Sequence, residues 1–311
     1  MERTAILCDL LGTRYPLMQG GMAHISDARL AAAVSNGGGL GIISAASGNP
    51  EQIAVQIDEA RALTDKPFGV NIMLRGNNID AIAKLVAEKK VAVVTTGAGS
   101  PAEYIPMWRE AGIKVIPVIS TAAMAQLMEK SGADAVVAEG TESGGHVGEM
   151  TTMALVPQVC DAVSIPVIAA GGIADGRGVA AAFMLGACGV QIGTRFLAAT
   201  ECSIHPEYKS RVLKAKDTST VVTGKRLGHP VRSLKSAFSR GYAKVEYTDI
   251  SDEDLEAMAV GTLRAAVVDG DPKRGCFLAG QISGMVNKEQ PAAEMIAEIM
   301  EQAGSLLGTQ F

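Results

Sequence analysis

Eight short apolar runs, separated by stretches of helical period, dominate the first two thirds of the chain. They are Pro16–Gly21, Leu40–Ser44, Phe68–Met73, Val91–Thr96, Lys114–Ser120, Ala135–Gly140, Pro166–Gly172 and Gly189–Phe196. Ala-rich amphipathic segments such as Asp27–Asn36, Pro50–Leu63 and Thr121–Ser131 lie between them. Runs apolar along their whole length are strands covered on both faces, and intervening helices impose parallel order. Eight such units before residue 200 predict an α/β fold, a (β/α)8 TIM barrel, with functional residues at the C-terminal strand ends. An open doubly wound sheet also binds ligands at strand ends, so the count favours the barrel over that alternative without deciding the matter.

The residues that close each run point the same way. The runs end in Gly20-Gly21-Met22, Ser44, Asn71, Thr96-Gly97, Ser120, Glu139-Gly140, Gly171-Gly172 and Gly193-Thr194, gathering polar residues and glycines on one rim. Aromatic residues make up only 4% of the chain, which suits short strands under Ala-rich helices. Past residue 200 the alternation stops. A helix is expected over Asp252–Val268, a glycine-rich stretch comes next at Ala279–Met285, and a last helix is expected over Pro291–Leu307. The expected division is a barrel over 1–200, a smaller basic cap over 201–285, and a C-terminal helix in 286–311 packing on the barrel wall.

Charge is unevenly spread. The net charge is −5, yet Ser203–Lys244 holds ten basic residues against Glu207 and Asp217, so that segment is +8 and the remainder −13. The five cysteines are odd in number and never form a C-x-x-C pair, which argues against a disulfide framework or a zinc site and for a reducing cytoplasm. Met1–Leu10 carries charges where a signal peptide needs an apolar run, and the most apolar later window, Ala181–Thr200, contains Arg195; no membrane span is expected.

Three stretches carry candidate chemistry. Ala170-Gly171-Gly172-Ile173 and Gln191-Ile192-Gly193-Thr194 end the seventh and eighth runs, where barrels commonly hold phosphate on backbone N–H groups. Between Ala138 and Gly148 a β-branched run breaks into AEGTESGGHVG, which presents His146 after Gly144 and Gly145. Its ordinary pKa near 6.5 suits proton transfer or carbonyl polarisation. His24, just past the first glycines, is a second candidate for the rim, whereas His205 and His229 precede prolines and read as loop residues. Asn71 and Glu139 interrupt apolar strands and need polar partners, from the protein or from a ligand. Thr96-Gly97 and Ser143 add lesser contacts.

Gly97–Ala102 matches G-x-G-x-x-A, but the acidic residue expected about 20 positions later is missing, so a dinucleotide fingerprint is rejected. Metal-hydrolase, P-loop and nucleophile-elbow motifs are also absent from the sequence. A phosphate site, polar residues for a flat heterocycle and one histidine suit a cofactor that carries the chemistry, and flavin mononucleotide (FMN) meets those demands.

Seven stretches carry a resemblance: Gln19–Ala23, Lys66–Met73, Thr95–Gly99, Glu139–Gly148, Pro166–Gly178, Gln191–Phe196 and Gly280–Val286. They resemble the flavin-dependent enoyl-[acyl-carrier-protein] reductase II family, which is related to the nitronate monooxygenases. The resemblance implies a capped TIM barrel, bound FMN, and NADH- or NADPH-dependent reduction of trans-2-enoyl thioesters in fatty acid synthesis. It places Gly21, Met22 and Ala23 along the isoalloxazine and Asn71 at its polar edge. Ala170, Gly171, Gly172, Gly193 and Thr194 would surround the phosphate, with Thr96, Glu139, Gly145 and Gln191 nearby and His146 catalytic. An enoyl-acyl carrier protein as partner, a homodimer, and dependence on a monovalent cation are further expectations. The family usually has an aromatic residue where this chain has His24, which leaves the packing there open. Two other readings stand beside the reductase: a nitronate monooxygenase using oxygen, and a non-catalytic nucleotide-binding barrel.

Overall fold

The computed structural model describes residues 2–46 and 48–311; Met1 and Ser47 lie outside the described residues. Its barrel strands are β1 (Leu17–Gln19), β2 (Gly41–Ser44), β3 (Phe68–Met73), β4 (Val93–Gly97), β5 (Lys114–Ile119) and β6 (Val136–Glu139). A two-residue strand, β7 (Gly145–His146), leaves the barrel before β8 (Val167–Ala170) and β9 (Gly189–Ile192) complete it. The eight barrel strands pair in the order β1-β9-β8-β6-β5-β4-β3-β2, all parallel. A bridge from Met18 to Leu40 joins the two ends, with Gln19 N–H donating to the Leu40 carbonyl and Leu40 N–H to that of Leu17, both at 2.9 Å. The fold is the expected (β/α)8 TIM barrel.

Local sequence sets the helix starts. Asp27, Asn49 and Thr121 each accept a backbone N–H in the first turn of the helix after them, and Pro50 opens the second of these with its φ already suitable. Inside the barrel Met18, Leu40, Ile42, Val93, Ile116, Val137 and Ile168 form one apolar cluster. The alternate residues, such as Val70, Ile72, Val94 and Val115, face the helices. Both faces are therefore buried, as a parallel sheet requires.

Three features depart from the sequence reading. A helix at Glu2–Leu11 closes the barrel floor, with Leu7 and Leu11 joining the interior cluster and Leu7 lying where a Cβ on Gly189 would come within 2.2 Å. Ten residues without a preceding capping side chain give little sequence signal. The helix expected over Asp252–Val268 is two helices, Asp252–Ala259 and Thr262–Val267, broken at Gly261 with φ +74°. The cap also contains strands, β10 (Thr220–Thr223) and β11 (Val231–Leu234), which pair antiparallel. β7 adds to β11 as the third strand, His146 opposite Val231 and Gly145 opposite Arg232.

The helix Ala292–Leu307 lies against the helices Gly176–Met184 and Ala28–Asn36. Close approach depends on glycine: a Cβ on Gly176 would stand 2.4 Å from the Ala303 nitrogen. Among the described residues no helix is long and apolar enough to cross a membrane.

Gly41 carries the tightest approach, since its Cβ would fall 1.9 Å from the Ala31 carbonyl oxygen. Gly41→Ala is therefore expected to lower the unfolding free energy by about 1–3 kcal/mol. Gly241, in the helix Ala237–Val245 with nothing near its missing side chain, is the contrast. Gly241→Ala is expected to stabilise by about 0.5–1 kcal/mol. Urea unfolding midpoints of the two variants should move in opposite directions.

Candidate functional site

A cavity of about 640 Å³ opens at the C-terminal ends of the barrel strands, beneath the cap. Gly21, Met22, Ala23, Asn71, Glu139, Gly145, His146, Ala170, Gly171, Gly172, Gln191, Gly193 and Thr194 all line it. Residues from five barrel-strand ends, those of β1, β3, β6, β8 and β9, thus converge with β7 on one space.

On one wall, Gly21 makes room for Asn71, whose Cβ and Cγ would stand 2.4 and 2.6 Å from a Cβ at that glycine. Thr95 Oγ1 donates to Asn71 Oδ1 at 2.9 Å, which leaves the Asn71 amide NH2 to donate into the cavity. Buried Gln19 fixes the turn below: its Nε2 donates to the Gly20 carbonyl and to Ser26 Oγ, and its Oε1 accepts from Ile42 N–H at 3.0 Å.

On the opposite wall the β8 and β9 ends form a cradle. Gly171 and Gly172 have φ of +88° and +74°, and a Cβ on Gly171 would come within 2.7 Å of the Gly140 carbonyl oxygen. The Thr152 hydroxyl bridges this turn to the acid beside it, lying 2.8 Å from the Gly171 carbonyl and 3.0 Å from Glu142 Oε2. Among the described residues, no protein group accepts the N–H of Gly172 or Gly193. A Cβ on Gly193 would meet only Met22, at 3.8 Å, so that backbone is open to the cavity. Unsatisfied N–H donors on two neighbouring strand ends fit an anion such as a phosphate.

Titrating groups flank the cradle. Burial pushes the Glu139 carboxyl up to about 7, because removing the carboxylate from water favours its protonated form. Glu142 is held by Thr152, whose N–H lies 2.9 and 3.0 Å from its two oxygens. His146 is pulled below its ordinary value, first by desolvation and then by the charges of His229 and Arg75. Its imidazole is therefore neutral near pH 7 and offers an N–H without carrying a charge.

Two sequence candidates fall elsewhere. Thr96 does not line the cavity: Val94 faces the helix layer and side chains alternate, so Thr96 points outward and its buried Oγ1 has no partner. Thr95, one position earlier, shares Val93's interior face and reaches Asn71. His24, with φ +60°, lines a separate outer groove with Asp27, Glu51 and Gln56. His205 caps the helix Pro206–Leu213 by accepting Glu207 N–H at its Nδ1, 3.1 Å away.

Sequence reasoning passes over Arg75 and sets His229 aside as a loop residue, yet both line the cavity mouth, Arg75 Nη1 lying 3.4 Å from His229 Nδ1. The position of Arg75 just beyond the β3 end is the available signal. The pairing across the mouth, over a long sequence separation, has none.

The Glu139 carboxyl keeps its proton in the folded chain while its ordinary value is 4.5. Between about pH 4.5 and 7 the folded state thus binds more protons than the unfolded one, and stability falls as pH rises. Glu139→Gln should remove this slope. Denaturant unfolding at pH 5 and pH 8 should show a smaller loss of stability in the variant than in the parent protein.

Residues 4–84 and 75–302 match the nitronate monooxygenase family. The structure of FabK from Thermotoga maritima is similar at a TM-score of 0.95, with 48% identity over 97% of both chains. A (3aS,4S,5R,7aS)-5-hydroxy-7a-methyl-1-oxo-octahydro-1H-indene-4-carboxyl-CoA dehydrogenase of Mycobacterium tuberculosis is 34% identical over 97% of both chains. A probable nitronate monooxygenase of Staphylococcus aureus is 34% identical, covering 97% of this chain and 98% of its own. With the match spanning nearly its whole length and the barrel shared, this chain belongs to the nitronate monooxygenase family of oxidoreductases.

Proposed function

We propose that the protein is an FMN-dependent enoyl-[acyl-carrier-protein] reductase that uses NADH or NADPH to saturate trans-2-enoyl thioesters. The observation that carries this reading is the 48% identity to FabK, against 34% to the relative named a probable nitronate monooxygenase. The residues fit the cofactor: the free N–H groups of Gly172 and Gly193, with Thr194, would hold the phosphate. Gly21, Met22 and Ala23 would lie along the ring, and the Asn71 amide and Gln191 would meet its polar edge. Bound there, FMN supplies two-electron transfer between the nicotinamide and the substrate double bond.

The rest of the chemistry belongs to the chain. As hydride reaches the β-carbon, negative charge develops on the thioester carbonyl oxygen. His146, neutral and lining the cavity, would donate a hydrogen bond to that oxygen and stabilise the developing charge. The cap strand holds the imidazole in place through the β7–β11 pairing.

The basic segment supports an acidic carrier protein as substrate carrier. Lys209, Arg211 and Arg226 are engaged in ion pairs with Glu289, Glu207 and Asp252, and Arg232 is buried. Lys214, Lys216, Lys225, Lys235, Arg240 and Lys244 remain exposed, and none is in an ion pair among the described residues. Such an excess of exposed cations in one segment would attract an acidic partner despite the overall negative charge. The family's own description favours nitronate oxidation as the second reading.

The purified protein is expected to be yellow and to oxidise NADH or NADPH anaerobically only when a crotonyl thioester is added. A yellow protein that ignores the thioester but consumes oxygen with an alkyl nitronate would establish the second reading instead. His146→Ala should lower kcat about 10²–10³-fold while flavin content is kept. Unchanged turnover in that variant would remove the histidine from the mechanism.

A further inference from the structure

Arg75 differs from Arg195, Arg226 and Arg232 in having no oxygen partner among the described residues. Arg195 donates to Gln290 Oε1 and the Lys288 carbonyl, Arg226 to Asp252 and three carbonyls, and Arg232 to Thr141 and Thr220. The contact of Arg75 is a ring nitrogen of His229, and no carboxylate pairs with it among the described residues. Two nitrogen groups able to carry positive charge thus face each other across the mouth of the cavity, with His146 also lining it.

Both are held by their backbones. The Arg75 turn is tied by Leu74 N–H to the Gly97 carbonyl at 2.9 Å, Gly76 N–H to Met73 at 3.0 Å, and Asn78 Nδ2 to Gly48 at 2.9 Å. His229 donates its N–H to the Gly224 carbonyl, and the next residue, Pro230, accepts from Val147 N–H, each at 3.0 Å. In the ring order, β3 and β8 are four strands apart among eight, so Arg75 stands diametrically opposite the glycine cradle on β8. A ligand phosphate at Arg75 is not the one bound by that cradle.

We propose that Arg75, with His229 beside it, binds a phosphate group of a substrate that enters over the cofactor. This rests on the reductase reading, which supplies two phosphate-bearing substrates: the nicotinamide nucleotide, through its pyrophosphate, and the thioester, through the phosphate of its phosphopantetheine arm. The guanidinium offers paired N–H donors for phosphate oxygens, and charge-assisted bonds of this kind are among the stronger polar contacts a protein makes.

The test uses the FMN-loaded protein, so that the cradle is filled. Inorganic pyrophosphate, titrated calorimetrically, should bind the parent protein and bind Arg75→Gln about tenfold more weakly or worse, with Arg75→Lys in between. No binding to the parent protein, or equal binding to Arg75→Gln, overturns the proposal. Steady-state arms identify the source. A rise in KM for NADH or NADPH assigns the nucleotide, and a rise in the KM ratio of crotonyl-CoA to phosphate-free crotonyl pantetheine assigns the thioester. If Arg75→Gln changes neither, the site plays no part in substrate binding and the proposal fails. Absence of thioester reduction in a parent protein that still binds pyrophosphate through Arg75 would sink the reductase reading alone.

Discussion

Two residues of strand pairing join the barrel to its cap, and the site depends on them. Gly145 and His146 lie antiparallel to Arg232 and Val231, and the same cap strand sends the buried Arg232 side chain back to the Thr141 carbonyl at 3.1 Å. The loop is held from a second side, where Gln281 N–H donates to the Glu142 carbonyl and Gly280 N–H to Thr194 Oγ1. Gly144 permits this approach, since a Cβ there would lie 2.7 Å from the backbone of Ala279 and Gly280. The barrel positions the anion cradle by its strand ends, whereas the cap positions the imidazole.

This division explains the electrostatics of the cavity. The cradle turns unpaired N–H groups inward, which favours negative charge, and two acids border it. Glu142 is held in place by three contacts from Thr152. Burial instead raises the Glu139 carboxyl to about 7, which lessens the negative charge beside the cradle. Desolvation, followed by the charges of His229 and Arg75 on the far rim, lowers the proton affinity of His146 and keeps it a neutral donor.

Much of this is legible in the sequence because the strands are buried on both faces and so leave uninterrupted apolar runs. Phe68–Met73 and Pro50–Leu63 are found with the bounds read from the sequence, the latter because Asn49 and Pro50 mark its start. The glycines and His146 stand out against those runs. Thr96, expected beside the cofactor, faces outward instead, because a strand buried on both faces carries little alternation to tell its inner face from its outer one. The cap sheet and the Arg75–His229 contact are hidden for another reason: each joins segments far apart in the chain, and local pattern carries no information about such pairing.

The sequence distance spanned by the β7–β11 pair has a consequence for how the chain acquires its site. All eight barrel strands end by Ile192, yet β11 does not begin until Val231 and the wall formed by Gly280 comes later still. Contacts of long sequence separation pay their loop-closure entropy before they return any stabilisation. Pairs between strands adjacent in sequence, such as β2–β3, β3–β4 and β4–β5, can therefore form before the imidazole has a fixed direction. Partial unfolding can follow the same division: loosening β11 from β7 would release the His146 backbone from its pairing.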